Sequence, residues 1–336
     1  MSTNNKNKIN ILEHYKILRY FEKQRSLEGL CGFSAFICLC LGFKESSSFY
    51  IVIALGIIVS LCGIRFVRWL LSRKRAKLLL IKCTSFTDTE CNQPLPAYIY
   101  ENYGIIKEIN INQCKFTKNN SVTNLVKSYK KLQKGINKVC KKTLKSQYDV
   151  SLCARYHIPF MFYLGCNLST LHIKFFEVSR CGCKLIEIKS SSKNFPTLNI
   201  SNHVDKDEQI LNILISVSLK INPNDIPNLS SYTELFLDEP CFDAIISNEQ
   251  LEDYSSKLFN ILNNCQKNHI RRVNIYYAGP MSLAFKLGQI VKLTMHPEIY
   301  VYNFSNFDSP KYGWALRLSN SFDKSNIEDQ RVNKDV

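Results

Sequence analysis

Val273-Asn-Ile-Tyr-Tyr-Ala-Gly-Pro280 is a β-branched and aromatic run that ends in a turn, and Met281-Ser-Leu-Ala-Phe-Lys-Leu-Gly-Gln-Ile-Val291 follows it with helical character. A strand feeding a helix through a tight turn is expected there. Pro280 suits a helix start because its φ is fixed and its missing N–H would lack a partner anyway. Two further strands are expected at Glu298-Ile-Tyr-Val-Tyr-Asn303 and Trp314-Ala-Leu-Arg-Leu318. The same order occurs upstream: Val150-Ser-Leu-Cys-Ala-Arg-Tyr-His-Ile-Pro159, a helix over Phe160–Leu168, then Leu171-His-Ile-Lys-Phe-Phe-Glu-Val178 and Cys183-Lys-Leu-Ile-Glu-Ile188. A Leu164-Gly165 pair in the first copy echoes Leu287-Gly288 in the second. The repeat predicts an α/β fold of two related halves. Between the copies, Ile210–Leu219 reads as a buried strand and 247–266 as a helix.

Such turns carry specific chemistry. Backbone N–H groups at a helix start are unpaired and partly positive, and they bind phosphate readily. Two related turns facing one cleft would suit a ligand with several phosphates. Arg155, His157, Ser282 and Lys286 supply charge and hydrogen bonds nearby; Tyr156, Tyr277 and Tyr302 offer faces on which bases stack. Each of these side chains also has a bland reading as a structural residue. The functional reading rests on their clustering at strand ends, where open α/β sheets bind ligands.

The segment Tyr276-Tyr-Ala-Gly-Pro-Met-Ser-Leu-Ala-Phe-Lys-Leu-Gly288, with the strand Ile299–Tyr302 and a closing strand, resembles the C-terminal signature of SAVED domains. Ile158-Pro-Phe-Met-Phe-Tyr-Leu-Gly165 is similar to their first half, although the turn Ala154-Arg155-Tyr156-His157 has no glycine. The resemblance covers about 148–320. It implies two fused CARF-like Rossmannoid halves, about 148–205 and 206–320, forming a receptor for a cyclic di- or trinucleotide in bacterial CBASS anti-phage signalling. The ligand-binding set it implies is Arg155, Tyr156, His157, Ser218, Tyr277, Gly279, Pro280, Met281, Ser282, Tyr302 and Asn303.

Upstream, the chain reads as a membrane hairpin. Residues 1–26 form a polar, basic leader in which Ile11, Leu12, Tyr15, Leu18 and Phe21 repeat at helical spacing. An apolar run over 27–43 and a second over 49–71, whose apolar part ends at Ile64, are joined by a short loop, Lys44 to Ser48. Both read as transmembrane helices. Lys6, Lys8, Lys16, Arg19, Lys23 and Arg25 precede the first; Arg65, Arg68, Arg73, Lys74, Arg75 and Lys77 follow the second. That bias places both termini in the cytoplasm. With the resemblance, it implies a two-pass protein of the bacterial inner membrane, resembling two-transmembrane SAVED effectors. Ligand-driven homo-oligomerisation and attack on the lipid bilayer are what that family implies.

Residues 72–147 read as a basic connector, and 321–336 as a polar tail. Between Ile109 and Tyr148 stand ten lysines and no carboxylate. Val122, Leu125, Tyr129, Leu132, Ile136 and Val139 repeat at 3-4 spacing, which predicts a helix over 121–146. Its lysines suit solvent, anionic lipid or a ligand phosphate.

The formal charge of +16, from 44 Lys+Arg against 28 Asp+Glu, favours phosphate-bearing partners. Fourteen cysteines are scattered, four of them in the apolar runs, which points to a reducing compartment rather than a disulfide framework. Cys181 and Cys183 form a C-x-C pair without a second pair at zinc spacing. The six histidines form no H-E-x-x-H cluster, and there is no P-loop. No cofactor, no enzymatic activity and no DNA or RNA polymer partner is expected. Three readings stay open from the residues: a ligand-gated membrane effector, an enzyme degrading its ligand with His157 as base, and a tethered module that recruits a partner.

Overall fold

The computed structural model describes residues 52–63, 76–86, 93–116, 121–178, 185–191, 194–203, 209–321 and 323–331. The leader 1–26, the apolar run 27–43, the Cys181/Cys183 pair and the chain from 332 onward lie outside the described residues. The run 49–71 is described only at 52–63, which is helical. Among the described residues no helix is long and apolar enough to cross a membrane. The chain divides into two units, one of 1–76 with 97–105 and one of 77–96 with 106–336. The first contains the helical residues 52–63 and a short helix α1 (Ala97–Asn102).

The second unit is built on two sheets. The first has the order β2-β1-β3-β4-β5, with β1 (Ala76–Thr84), β2 (Tyr103–Asn112), β3 (Asp149–Arg155), β4 (Ile173–Val178) and β5 (Leu185–Glu187). The second has the order β12-β11-β10-β9-β7-β8-β6. Its strands are β6 (Asn199–His203), β7 (Ile210–Ser216), β8 (Tyr232–Phe236), β9 (Arg272–Ala278), β10 (Glu298–Asn303), β11 (Trp314–Arg317) and β12 (Ile327–Asp329). Strand β3 lies between parallel β1 and β4, and β4 pairs antiparallel with β5. Strand β9 lies between parallel β7 and β10, and β10 pairs antiparallel with β11. The sequence echo is thus a repeat of strand pairing as well.

Each copy has its crossover helix: α3 (Ile158–Asn167) after β3, and α5 (Met281–Gln289) after β9. Pro159–Gly165 of α3 are all buried, which is why this helix lacks a polar face. The two helices pack on each other so closely that a Cβ on Gly165 would overlap the carbonyl oxygen of Phe285. Two longer helices complete the unit. Helix α2 (Val122–Lys145) starts at Ser121, whose Oγ accepts from the Asn124 N–H at 3.4 Å. Its Leu125, Tyr129, Leu132, Ile136 and Val139 are buried, as their spacing requires. Helix α4 (Asn248–Lys267) starts at Ser247, whose Oγ accepts from Gln250 N–H at 3.2 Å. Such a cap contributes about 1 kcal/mol.

Two expected boundaries change. The segment 72–147 is more than a connector, because it furnishes β1 and β2, and Leu78, Leu79, Leu80 and Ile81 of β1 are fully buried. The halves also do not divide near 205: β6 pairs with β8 and so belongs to the second sheet.

Candidate functional site

Parallel strands with their crossover helices deliver the strand carboxyl ends, and the helix starts, to the same side of a sheet. Here both sheets deliver them to one cavity of about 640 Å³. It is lined by Ala154–Ile158 from the first turn and Tyr277–Met281 from the second, together with Glu177 and Val178 of β4, Ser218 after β7 and Asn303 of β10. The two turns therefore converge. Of the expected residues, Arg155, Tyr156, His157, Ser218, Tyr277, Gly279, Pro280, Met281 and Asn303 line the cavity.

Three expected residues do not line it. Tyr302 points to the opposite face of its sheet, where it stacks on Tyr276 at 4.6 Å and its hydroxyl meets Arg272 at 3.0 Å and Glu328 at 3.2 Å. Adjacent strand residues face opposite ways, so Asn303 and Tyr302 cannot share a site. Lys286 is ion-paired with Glu252 of α4. Ser282 is 2% exposed, and its Oγ has no aligned hydrogen-bond partner. Tyr156 and Tyr277 contribute to the wall, but their rings sit in the core. Tyr277 meets Phe162 edge-on at 5.6 Å and donates its hydroxyl to the Pro280 carbonyl at 2.6 Å.

Sequence reasoning missed other lining groups. Phe242 and Phe304 place aromatic surface on the cavity; Phe304 is 41% exposed and meets the buried Tyr312 at 5.3 Å. Lys189 and Lys220 line it from loops, and Lys311 pairs with the lining Asp225 at 2.9 Å. Carboxylates line it too: Glu177, Glu187, Asp225 and Asp243. The wall is therefore mixed in sign, unlike the strongly basic chain. Phe304 reaches the cavity because it lies just beyond the end of β10, where strand alternation no longer applies.

Neither helix start is bare. His157, the residue before α3, is 3% exposed among Phe86, Phe160 and Trp314. Its Nδ1 lies 3.1 Å from Asn303 Oδ1, while Asn303 Nδ2 donates to the Phe304 carbonyl at 3.2 Å. The amide orientation fixed by that second bond puts the imidazole proton on Nδ1 and leaves Nε2 as a buried acceptor without a partner. Burial pushes the His157 pKa down to about 4, against the opposing bond to Asn303. At neutral pH His157 is therefore uncharged, and it supplies no positive charge to a phosphate. At α5 the Ser282 N–H donates to Glu177 Oε1 at 2.8 Å. Burial raises the Glu177 pKa, and the Ser282 amide and hydroxyl oppose that rise. The residue keeps some exposure through the cavity while its carboxylate is enclosed.

These contacts obey the repeat. With Phe162 equivalent to Phe285, Leu152 is equivalent to Ile275. The registers Leu152↔Phe175 and Ile275↔Val301 then make Phe175 the counterpart of Val301, and Glu177 the counterpart of Asn303. Each half thus sends the end of its second strand to the helix start of the other half: Glu177 to α5, Asn303 to α3. Among the described residues no group of three or more His, Cys, Asp or Glu is placed to hold a metal ion.

The family model for the SAVED domain, "SMODS-associated and fused to various effectors sensor domain", matches residues 132–318. The chain belongs to the SAVED family. Its cavity is thus the cleft between the two halves of a SAVED sensor domain. Among solved structures, the Acinetobacter baumannii Cap4 SAVED/CARF-domain containing receptor with the cyclic trinucleotide 2'3'3'-cAAA is similar over 79% of this chain and 55% of its own, at 12% identity and a TM-score of 0.45. The same receptor with 3'3'3'-cAAA gives 79%, 55%, 12% and 0.44. The Moraxella osloensis Cap4 receptor gives 73%, 49%, 12% and 0.43. The chain spans about half the length of these receptors. No curated protein matches it.

Proposed function

We propose that this SAVED protein is a membrane-anchored receptor for a cyclic di- or trinucleotide, that ligand drives its oligomerisation, and that the N-terminal apolar runs then breach the bacterial inner membrane, arresting or killing an infected cell. It acts by binding, not by catalysis. One observation carries the sensing step: the two echoed turns, one from each half of a SAVED domain, converge on a single cavity at the carboxyl ends of parallel strands. That cavity offers what a compact, multiply charged nucleotide needs, namely aromatic faces at Phe242 and Phe304 and cations at Arg155, Lys189 and Lys220. The membrane step is supported by the two apolar runs and the basic residues flanking them.

The test is thermal stabilisation of the full chain in detergent against a panel of cyclic di- and trinucleotides. A ligand at a hundred times its dissociation constant adds about 2.7 kcal/mol. No stabilisation by any member of the panel removes the sensing step. For the membrane step, the chain is reconstituted into dye-loaded vesicles. Ligand-dependent dye release supports it, and binding without release removes it. Recovery of intact ligand after prolonged incubation is the outcome expected of a receptor.

A further inference from the structure

We infer that Glu177 is an internal anion that holds the start of α5 until a phosphate group of the ligand takes its place, so that the protein carries a built-in competitor for its own ligand. This rests on the reading of the cavity as a receptor for phosphate-bearing molecules and deepens it.

The argument starts from the geometry. Glu177 Oε1 accepts from the Ser282 N–H at 2.8 Å, in the first turn of α5, where amides lack helical partners. The same turn has no side-chain cap of its own, since Pro280 precedes the helix. Ser282 Oγ, which meets no well-aligned partner, is buried beside the same carboxylate, so the amide and the hydroxyl of one residue crowd on a single acceptor group. A phosphate has more acceptor oxygens and more charge than a carboxylate, and can take the two donors on separate oxygens. The carboxylate is also poorly housed. It is enclosed, Asp243 faces the same cavity, and both effects disfavour its charge. A second relationship points the same way. The counterpart of Glu177 in the other half is neutral Asn303, so the acid at this position is a departure from the pseudo-symmetry rather than a demand of the fold.

The experiment titrates the full chain in detergent with inorganic pyrophosphate by calorimetry, and separately with cyclic trinucleotides. Glu177→Gln keeps the shape and removes the charge; Glu177→Ala removes the occupant. Asp243→Asn removes a neighbouring charge on the same cavity. Both Glu177 variants are expected to bind pyrophosphate about tenfold more tightly than wild type, and Asp243→Asn no more than about threefold, with circular dichroism checking that each folds. Equal tightening by Glu177→Gln and Asp243→Asn overturns the inference, because only through-space charge is then at work. Unchanged or weaker binding in the Glu177 variants overturns it as well and makes Glu177 a direct ligand contact or a bystander. Tighter pyrophosphate binding with no response to any cyclic nucleotide upholds the internal anion while removing the receptor reading.

Discussion

Gly165 and Gly288 stand in for each other across the α3–α5 crossing: a Cβ on Gly165 would overlap the carbonyl oxygen of Phe285, and a Cβ on Gly288 would overlap that of Phe162. Each glycine lies three residues after the phenylalanine that its counterpart faces. The crossing is therefore a local two-fold, and it holds the two helix starts on a common side. The Leu-Gly pairs of the sequence repeat are the place where the two halves meet.

Alanine at either glycine is expected to destabilise the sensor unit. The obstacle is backbone, so relief requires the helices to separate rather than a side chain to turn. Overpacking of this kind costs about 1–3 kcal/mol. A thermal melt of Gly165→Ala or Gly288→Ala should show a midpoint several degrees lower. An unchanged midpoint would mean that the helices are not in contact there.

The repeated core was legible because β-branched strands, a proline at each helix start and the Leu-Gly pairs are local signals. What the Leu-Gly pairs do was not legible, since their contact spans the two halves. Strand β1 was hidden for a different reason: Leu78–Ile81 follow a basic run that reads as the flank of a membrane segment, and their partner β3 lies far along the chain. The misplacement of Tyr302 was avoidable. Strand alternation allows only one of Tyr302 and Asn303 to face the cavity. Glu177 was invisible as a site residue because its partner, the Ser282 amide, carries no side-chain signature.

The segment that carries β1 and α2 also sets the smallest unit that folds. A fragment of 148–336 loses β1, β2 and α2: it exposes the edge of β3 along a register that runs from Leu78↔Asp149 to Thr84↔Arg155, and it removes the fully buried Leu78, Leu79, Leu80 and Ile81 of β1 together with Leu125, Tyr129, Leu132 and Val139 of α2. Each buried apolar side chain contributes about 1.5–3 kcal/mol, enough together to consume the net stability of a domain. A fragment of 76–331 is expected to be soluble and to melt cooperatively, whereas 148–336 aggregates. A cooperative melt of the shorter fragment would show that β1 and α2 are both dispensable.

The two faces of β10 separate binding from stability. Tyr302→Phe loses hydroxyl contacts to Arg272 and Glu328 on the far face and is expected to cost about 1 kcal/mol of stability with ligand affinity intact. Phe304→Ala removes aromatic surface from the cavity and should weaken a cyclic trinucleotide by about 1–3 kcal/mol if a base stacks on it. Titration of both variants by calorimetry distinguishes them. A Tyr302→Phe variant that binds more weakly than Phe304→Ala would reverse the assignment of faces.

His157 makes the sensor unit sensitive to acid. Its ordinary pKa is 6.5, and burial lowers it to about 4 in the folded state. Between those values the unfolded chain takes up a proton that the folded one refuses, so stability falls as pH drops below 6.5 and the loss is complete near pH 4. The full loss is about 3 kcal/mol, with about 2 kcal/mol of it reached by pH 5. Glu177 shifts the other way and gains stability on protonation, so the wild-type curve alone mixes the two. The difference between wild type and His157→Gln isolates the histidine, because Glu177 is common to both. Urea unfolding of the 76–331 fragment can be followed through Trp314, whose ring lies 5.8 Å from the His157 ring and which is the only tryptophan of that fragment. From pH 7 to pH 5 the wild-type fragment should lose about 2 kcal/mol more than the variant. Parallel pH profiles would mean that His157 is protonated inside the fold, and its Nε2 would then be a donor rather than a bare acceptor.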